Sequence, residues 1–280
     1  MSFTVPTEYG EVAVTLSGRE PGAAPTLLLF HANPGDARDF DAVAPALGEE
    51  WAVAGVDWPG YGGSTATGTT TGPAVTANAL GEIAVDVLDA LVARGHRDVS
   101  VLGSSIGGYA AVRLAERRPE LVRSVVLVAP AGFTPQNALI RAYCRFMARR
   151  RVARAVVGPF STAYLGGLRT ASAKAAYRRA KGIKDDPAAL ASYTSIWRSA
   201  ADERIDLVTA RPRLAMPVLV VWGWYDPINP APLNLPGVRR ALPAARVVVL
   251  AAAHEPYNDV PDRFLASVLP FLREHTVRSA

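Results

Sequence analysis

Short runs of consecutive apolar residues recur along this chain, separated by segments with helical spacing. Thr26-Leu27-Leu28-Leu29-Phe30, Trp51 to Val56, Val99 to Leu102, Leu121 to Val128, Pro217 to Trp222 and Arg246 to Leu250 are such runs. Each is short and bounded by turn residues, so each predicts a strand buried on both faces. Val12 to Ser17 alternates instead, as a strand with one wet face does. Helical spacing predicts helices over Asp39 to Leu47, Ala79 to Arg94, Tyr109 to Arg118, Gly237 to Leu242 and Arg263 to Glu274. Gly95 and Pro119 stop the second and third of these. Thr65 to Thr71 reads as a polar loop. Apolar strands alternating with helices predict an α/β protein with a parallel sheet covered on both faces.

The alternation breaks at Pro130 and resumes at Pro217. Residues 133–212 are rich in alanine and arginine, helical in composition, and hold no convincing buried strand. The expected organisation is one core domain, residues 1–132 and 213–280, with a helical cap inserted at 133–212.

Composition changes this picture little. Half of the 280 residues are hydrophobic and a fifth are charged, as in ordinary globular proteins. Met1 to Glu11 lacks a basic patch followed by an apolar run, and no apolar run approaches the roughly 20 residues that span a bilayer. The single cysteine, Cys144, excludes an intramolecular disulfide and reads as a packing residue. A cytoplasmic protein without a membrane span is expected. The net charge of +5 is localised: Phe133 to Lys184 holds twelve Lys and Arg, among them Arg149, Arg150, Arg151 and Arg154, and no acid. Such a field suits an anionic substrate, an acidic partner such as a carrier protein, or a membrane surface, or it is simply a solvated helix face. No helix-turn-helix, RNA-binding or zinc signature accompanies it, so no nucleic-acid partner is expected.

The chemistry centres on Gly103-Ser104-Ser105-Ile106-Gly107, where a predicted strand breaks into a predicted helix. Gly-x-Ser-x-Gly in this context is a turn so tight that the flanking positions need glycine, and the serine hydroxyl is thrust out of the sheet. Only Ser105 fits, because Ser104 has Leu102 and Ile106 where glycine is required. A serine nucleophile needs a base and a group to orient that base. Of four histidines, His254 alone follows the last strand, at the edge where loops leave the carboxyl ends of parallel strands. His31 begins a loop, His96 lies at the opposite edge and His275 in the last helix. Asp226, after the strand ending at Trp222, is the acid on the same edge, with Asp57 as competitor. The chain order is then Ser, Asp, His. Trp224 and Tyr225 flank Asp226 and are expected to bind substrate, whereas Tyr143, Phe146, Phe160, Tyr164, Tyr193 and Trp197 could line an acyl pocket but read mostly as packing between cap and core.

Over nearly its whole length the chain resembles the α/β-hydrolase superfamily. The matching segments are His31-Ala32-Asn33-Pro34-Gly35, Asp57-Trp58-Pro59-Gly60-Tyr61-Gly62-Gly63-Ser64, the serine turn, Gly223-Trp224-Tyr225-Asp226 and His254. The resemblance implies an eight-stranded, mostly parallel sheet. It also implies a Ser105–His254–Asp226 triad and an oxyanion hole formed by the amides of Asn33 and Ile106. Ala32 and Ala253 depart from it, since glycine is usual at both positions.

Within that superfamily, serine at position 105 disfavours dehalogenase and epoxide-hydrolase chemistry, which uses aspartate there. A perhydrolase fits the triad but has no positive signature. The expected activity is acyl transfer to water through an acyl-enzyme, on a small carboxylic ester, lactone or thioester. The alternatives are carbon–carbon bond hydrolysis of a vinylogous diketone acid and a catalytically silent receptor on the same fold. No metal or cofactor is expected.

Overall fold

The computed structural model describes residues 1–67, 73–134, 136–203 and 205–276. Eight strands form one sheet: β1 (Ser2–Thr7), β2 (Gly10–Gly18), β3 (Thr26–Phe30), β4 (Ala52–Val56), β5 (Val99–Ser104), β6 (Val122–Val128), β7 (Val218–Gly223) and β8 (Arg246–Leu250). Their order is β1-β2-β4-β3-β5-β6-β7-β8. The β1–β2 and β2–β4 pairs are antiparallel, and all the others are parallel.

The apolar runs became strands for the expected reason. Leu27 and Leu29 of β3 pack with Val126, Val128, Leu219 and Val221 on one face of the sheet. Leu28 and Phe30 pack with Val101, Val125, Leu127 and Val220 on the other. That period of two, apolar on both faces, requires helices on both sides. α1 (Ala44–Gly48) and α11 (Pro261–Thr276) cover the first face, through Leu47, Phe264, Val268 and Phe271. α2 (Ala77–Ala93) and α3 (Ile106–Arg117) cover the second, through Leu80, Ile83, Val87, Leu88, Val112 and Leu114.

Two strands depart from the pattern. β1 carries no apolar periodicity and buries only Val5, because it is an edge strand held by its hairpin with β2. β8 reads Arg-Val-Val-Val-Leu yet has no fully buried residue, because it closes the other edge of the sheet. The expected helix over Asp39 to Leu47 is split into a 3-10 turn, Ala37–Phe40, and α1. The expected polar loop from Thr65 to Thr71 lies outside the described residues from position 68 onward.

Between β6 and β7 the described chain is helical: α4 (Ala138–Met147), α5 (Arg150–Tyr164), α6 (Ala171–Gly182), a 3-10 turn (Ile183–Asp185), α7 (Pro187–Asp202) and α8 (Leu207–Ala210). Asn137, Thr170 and Asp186 cap α4, α6 and α7 with side-chain oxygens. The chain then continues through β7, α9 (Ala231–Ala241), β8 and α10 (Pro256–Asp259) to α11. Polar contacts tie the β6–β7 helices to the loop after β4 and to the start of α2. Ser192 of α7 donates to the Pro59 carbonyl at 2.7 Å, and Ser199 accepts from the Ala77 amide at 2.9 Å. No described helix is long and apolar enough to cross a membrane.

Strand register places the loops. Phe30 pairs with Gly103, Gly103 with Leu127, Val128 with Val221, and Gly223 with Leu250. The carboxyl ends of β3, β5, β6, β7 and β8 therefore share one edge. A crevice outside the carboxyl ends of parallel strands is where open α/β sheets bind ligands.

Candidate active site

Ser105 connects β5 to α3 with φ +53° and ψ −115°. A backbone in this region costs a non-glycine residue on the order of 1–3 kcal/mol, so surrounding contacts must hold it. They do: the Ser105 amide donates to Val128 O at 2.9 Å, and its carbonyl accepts from the amides of Ala131 and Gly108 at 2.8 and 3.0 Å. The two glycines are sterically required. A Cβ on Gly103 would meet the Gly107 carbonyl, and one on Gly107 would meet the Phe30 and His31 carbonyl oxygens. Ser104, by contrast, points into the core, where its hydroxyl accepts from Tyr257 at 3.1 Å.

His254 and Asp226 are both buried, with His254 Nδ1 and Asp226 Oδ2 2.6 Å apart. The other carboxylate oxygen, Oδ1, accepts from the Ile228 and Asn229 amides at 2.8 and 2.9 Å. Three acceptor bonds fix the carboxylate, and the carboxylate in turn assigns the imidazole proton to Nδ1. Nε2 is then the nitrogen with a free lone pair. The His254 backbone amide donates to the carbonyl of Tyr164, at the end of α5, at 3.1 Å.

The competing groups have structural work. His31 is buried, its Nε2 accepting from the Trp58 amide at 2.9 Å and its Nδ1 donating to Ala32 O at 2.6 Å. Burial, partly offset by Asp57, holds its pKa below the usual histidine value. His96 pairs with Thr26, at the opposite end of β3. His275 packs edge-on against Phe271 in α11. Asp57 accepts from the Ala37 and Gly63 amides, both at 2.7 Å, and so shapes its loop.

Ile106 is the first residue of α3, and the first amides of a helix have no intrahelical acceptor. Its N–H, with the helix dipole behind it, suits an oxygen that gains negative charge. Asn33, on the loop after β3, lines the same cavity as Ile106. Its side chain is occupied: Tyr61 donates to Oδ1 at 2.6 Å, and Nδ2 donates to the Tyr193 carbonyl at 3.4 Å. Sequence reading missed Tyr61 as the anchor of this loop, since nothing local links it to Asn33.

Ser105, Ile106, Asn33 and His254 all line one cavity of about 140 Å³. That is smaller than the roughly 300–1,000 Å³ of sites that enclose drug-sized ligands. The remaining wall comes largely from the β6–β7 helices: Ile140 and Cys144 of α4, Val157 and Tyr164 of α5, Tyr193 and Trp197 of α7. Burial in this wall raises the Cys144 thiol to about 11. Among the described residues, no Lys or Arg lines the cavity, so the basic field lies outside it. No described group of three or more His, Cys, Asp or Glu is placed to hold a metal ion.

One expectation is corrected. Trp224 and Tyr225 do not line the cavity; they are 52% and 67% exposed. Their amides pair with the Leu250 and Ala252 carbonyls, and the turn that brings Asp226 inward leaves both rings in solvent. The aromatic wall is built instead by five of the six cap aromatics that could line an acyl pocket but read mostly as packing: Tyr143, Phe160, Tyr164, Tyr193 and Trp197, though not Phe146.

Ile140 is only half-buried, so its side chain can grow without displacing the core. An Ile140→Trp variant narrows the cavity at its α4 wall. With p-nitrophenyl esters of increasing chain length, the butyrate-to-acetate ratio of kcat/KM is expected to fall about tenfold.

The family model for the alpha/beta hydrolase fold matches residues 25–259. A pimeloyl-[acyl-carrier protein] methyl ester esterase of Neisseria meningitidis is 28% identical over 263 residues, covering 90% of this chain and 95% of that protein. An esterase of Thermogutta terrifontis superposes with a TM-score of 0.81 at 20% identity, over 99% of this chain and 100% of its own. The enol-lactonase of Burkholderia xenovorans gives 0.78 at 21% identity, over 94% and 97%. With the family model spanning most of the chain and the sheet built in this order, the protein belongs to the alpha/beta hydrolase fold family.

Proposed function

We propose that this protein is a serine hydrolase acting on a small, uncharged carboxylic ester, lactone or thioester. Ser105 Oγ attacks the acyl carbon while His254 Nε2 takes its proton. Asp226 keeps the imidazole in the required tautomer and stabilises the imidazolium. The amides of Asn33 and Ile106 receive the negative charge that develops on the carbonyl oxygen. The alcohol or thiol leaves with the proton from His254. Water, deprotonated by the same nitrogen, then hydrolyses the acyl-serine. The helices between β6 and β7 act as the cap that shapes the acyl pocket.

The observation that carries this reading is the placement of His254. Its Nδ1 is engaged by a buried carboxylate 2.6 Å away, while its ring shares an apolar cavity with a strained, outward-turned Ser105. The reading of an ester rather than a diketone acid rests on the cavity wall, which among described residues offers no cation to a carboxylate. A 28% identical relative named as a methyl ester esterase supports the same bond class.

The test is a substrate panel. Short p-nitrophenyl esters are expected to turn over, and a vinylogous diketone acid is not; the reverse result would sink the ester reading. The arginine field adds a second expectation. For a neutral ester kcat/KM is insensitive to salt, whereas an acyl-coenzyme A thioester, if steered by the field, loses efficiency as salt rises.

A further inference from the structure

α4 places a row of large apolar side chains in water. Leu139, Tyr143 and Phe146 are 76%, 41% and 47% exposed. At 100° per residue they fall within about 60° of one another around the helix, so they form a single ridge. The inner face of the same helix, through Ile140 and Cys144, lines the candidate active-site cavity. Tyr143 belongs to both faces, being exposed and also part of the cavity wall. The apolar ridge therefore runs to the rim of the cavity.

The surroundings are cationic. α5 follows α4 after two residues and begins Arg-Arg, preceded by Arg149. Arg149, Arg150, Arg151 and Arg154 are all exposed, and the first turn of α5 holds no acid. Cations at the positive end of a helix dipole are unfavourable for the helix itself, so intrahelical stability does not account for them. Among described residues Arg149, Arg150 and Arg151 form no ion pair, and the Arg149 guanidinium sits 5.9 Å from the Phe146 ring. Arg145, on the flank of the ridge, pairs with Asp202 at 2.8 Å.

We infer that α4 and the start of α5 form an interfacial anchor for an anionic lipid surface, which holds the cavity rim at the lipid boundary. A protruding Leu–Tyr–Phe ridge flanked by arginines has the two properties that hold an amphipathic helix in the headgroup region. The apolar side chains enter the acyl boundary, while the arginines meet lipid phosphates. An acidic protein would satisfy the arginines but leave Leu139 and Phe146 in water unless it also offered a groove for a convex ridge. A bilayer takes both without any demand on shape. This goes beyond the hydrolase reading and does not depend on it.

Co-sedimentation of the full chain with vesicles tests the anchor. Binding is expected to vesicles of phosphatidylcholine mixed with phosphatidylglycerol, to be weaker on phosphatidylcholine alone, and to weaken with salt. L139S/F146S replaces two side chains that do not line the cavity, and it is expected to lose about tenfold in partitioning while keeping turnover of a soluble ester. An R149Q/R150Q/R151Q variant is expected to lose the phosphatidylglycerol dependence. S105A binds as the parent does, so failure of the catalytic reading leaves this result standing. The inference is overturned if the parent chain does not sediment with the mixed vesicles at low salt. It is equally overturned if L139S/F146S binds them as well as the parent. A parent chain that ignores the vesicles but forms a dimer lost in L139S/F146S assigns the ridge to a second copy, and capture of an acidic carrier protein in place of vesicles assigns it to that partner.

Discussion

Replacing Ser105 by alanine lowers kcat for ester hydrolysis by about ten-thousand-fold or more and abolishes labelling by a fluorophosphonate. The magnitude follows from the proposed role: once the nucleophile of a serine, histidine and aspartate unit is gone, only binding and oxyanion stabilisation remain. The neighbouring serine makes the comparison sharp. Ser104 is buried, and its hydroxyl accepts from Tyr257 at 3.1 Å, so Ser104→Ala removes a core hydrogen bond and nothing in the cavity. That variant is expected to lose about 1–3 kcal/mol of stability and to label normally. Asp226→Asn belongs with Ser105→Ala. An amide in place of the carboxylate turns the imidazole to the other tautomer and costs on the order of ten-thousand-fold, with little change in structure. Unaltered labelling of Ser105→Ala would remove the nucleophile assignment whatever the substrate. Equal loss in Ser104→Ala would place the chemistry at the wrong serine.

Much of this site was legible in the chain because its residues sit where strands end. A run such as Val218 to Trp222 announces its own carboxyl edge, and the turn after it supplies Asp226. The serine turn is legible for a stricter reason: two glycines at fixed spacing satisfy a steric requirement, since a Cβ at Gly103 or Gly107 would meet a backbone carbonyl. The wall of the cavity was not legible. Tyr164, Tyr193 and Trp197 lie on helices whose spacing shows which side is apolar but not what that side meets. For the same reason Trp224 and Tyr225 were misplaced: proximity in sequence to Asp226 says nothing about which way a tight turn directs a ring. The edge strand β1 also left no trace, since one buried residue in six makes no period.

The least legible feature is a buried charge cluster that fastens the β6–β7 helices to the sheet, and its loss is the second large effect expected. Arg179 of α6 reaches across to Asp39, 2.6 Å away, and to Asp36, 3.4 Å away. Asp36 caps the 3-10 turn Ala37–Phe40 that follows Asn33, Asp39 lies within that turn, and both are buried. Glu255, next to His254, is buried beside them and accepts from Asn258 at 2.7 Å; burial, with the nearby Asp39, pushes its carboxyl well above the usual range. Asp39 is pushed up to about 7, because burial and Asp36 outweigh the attraction of Arg179. Burial also acts against ionised Asp36, but Arg38 and Arg179 together hold it below the ordinary value.

Arg179→Met keeps the packing volume and removes the only cation that Asp39 touches among the described residues. Stripping one partner from a buried pair typically costs about 3–5 kcal/mol. The pH dependence separates this from lost packing. A carboxyl raised in the fold is neutral there at low pH, so its favourable contribution is complete below the unfolded value. That contribution is lost as pH rises through the folded value of about 7. In Arg179→Met the ionised Asp39 has less support still, so its carboxyl moves higher and the variant loses most above neutrality. Urea unfolding is expected to show the full loss at about pH 8 and a loss smaller by about 1 kcal/mol at about pH 5.5, since one pH unit above the folded value is worth about 1.4 kcal/mol. Asp39→Asn in the parent background removes the titrating group and flattens the fall in stability between those two conditions. Equal losses for Arg179→Met at both conditions would mean that Arg179 acts through packing and Asp36 and leaves Asp39 untouched.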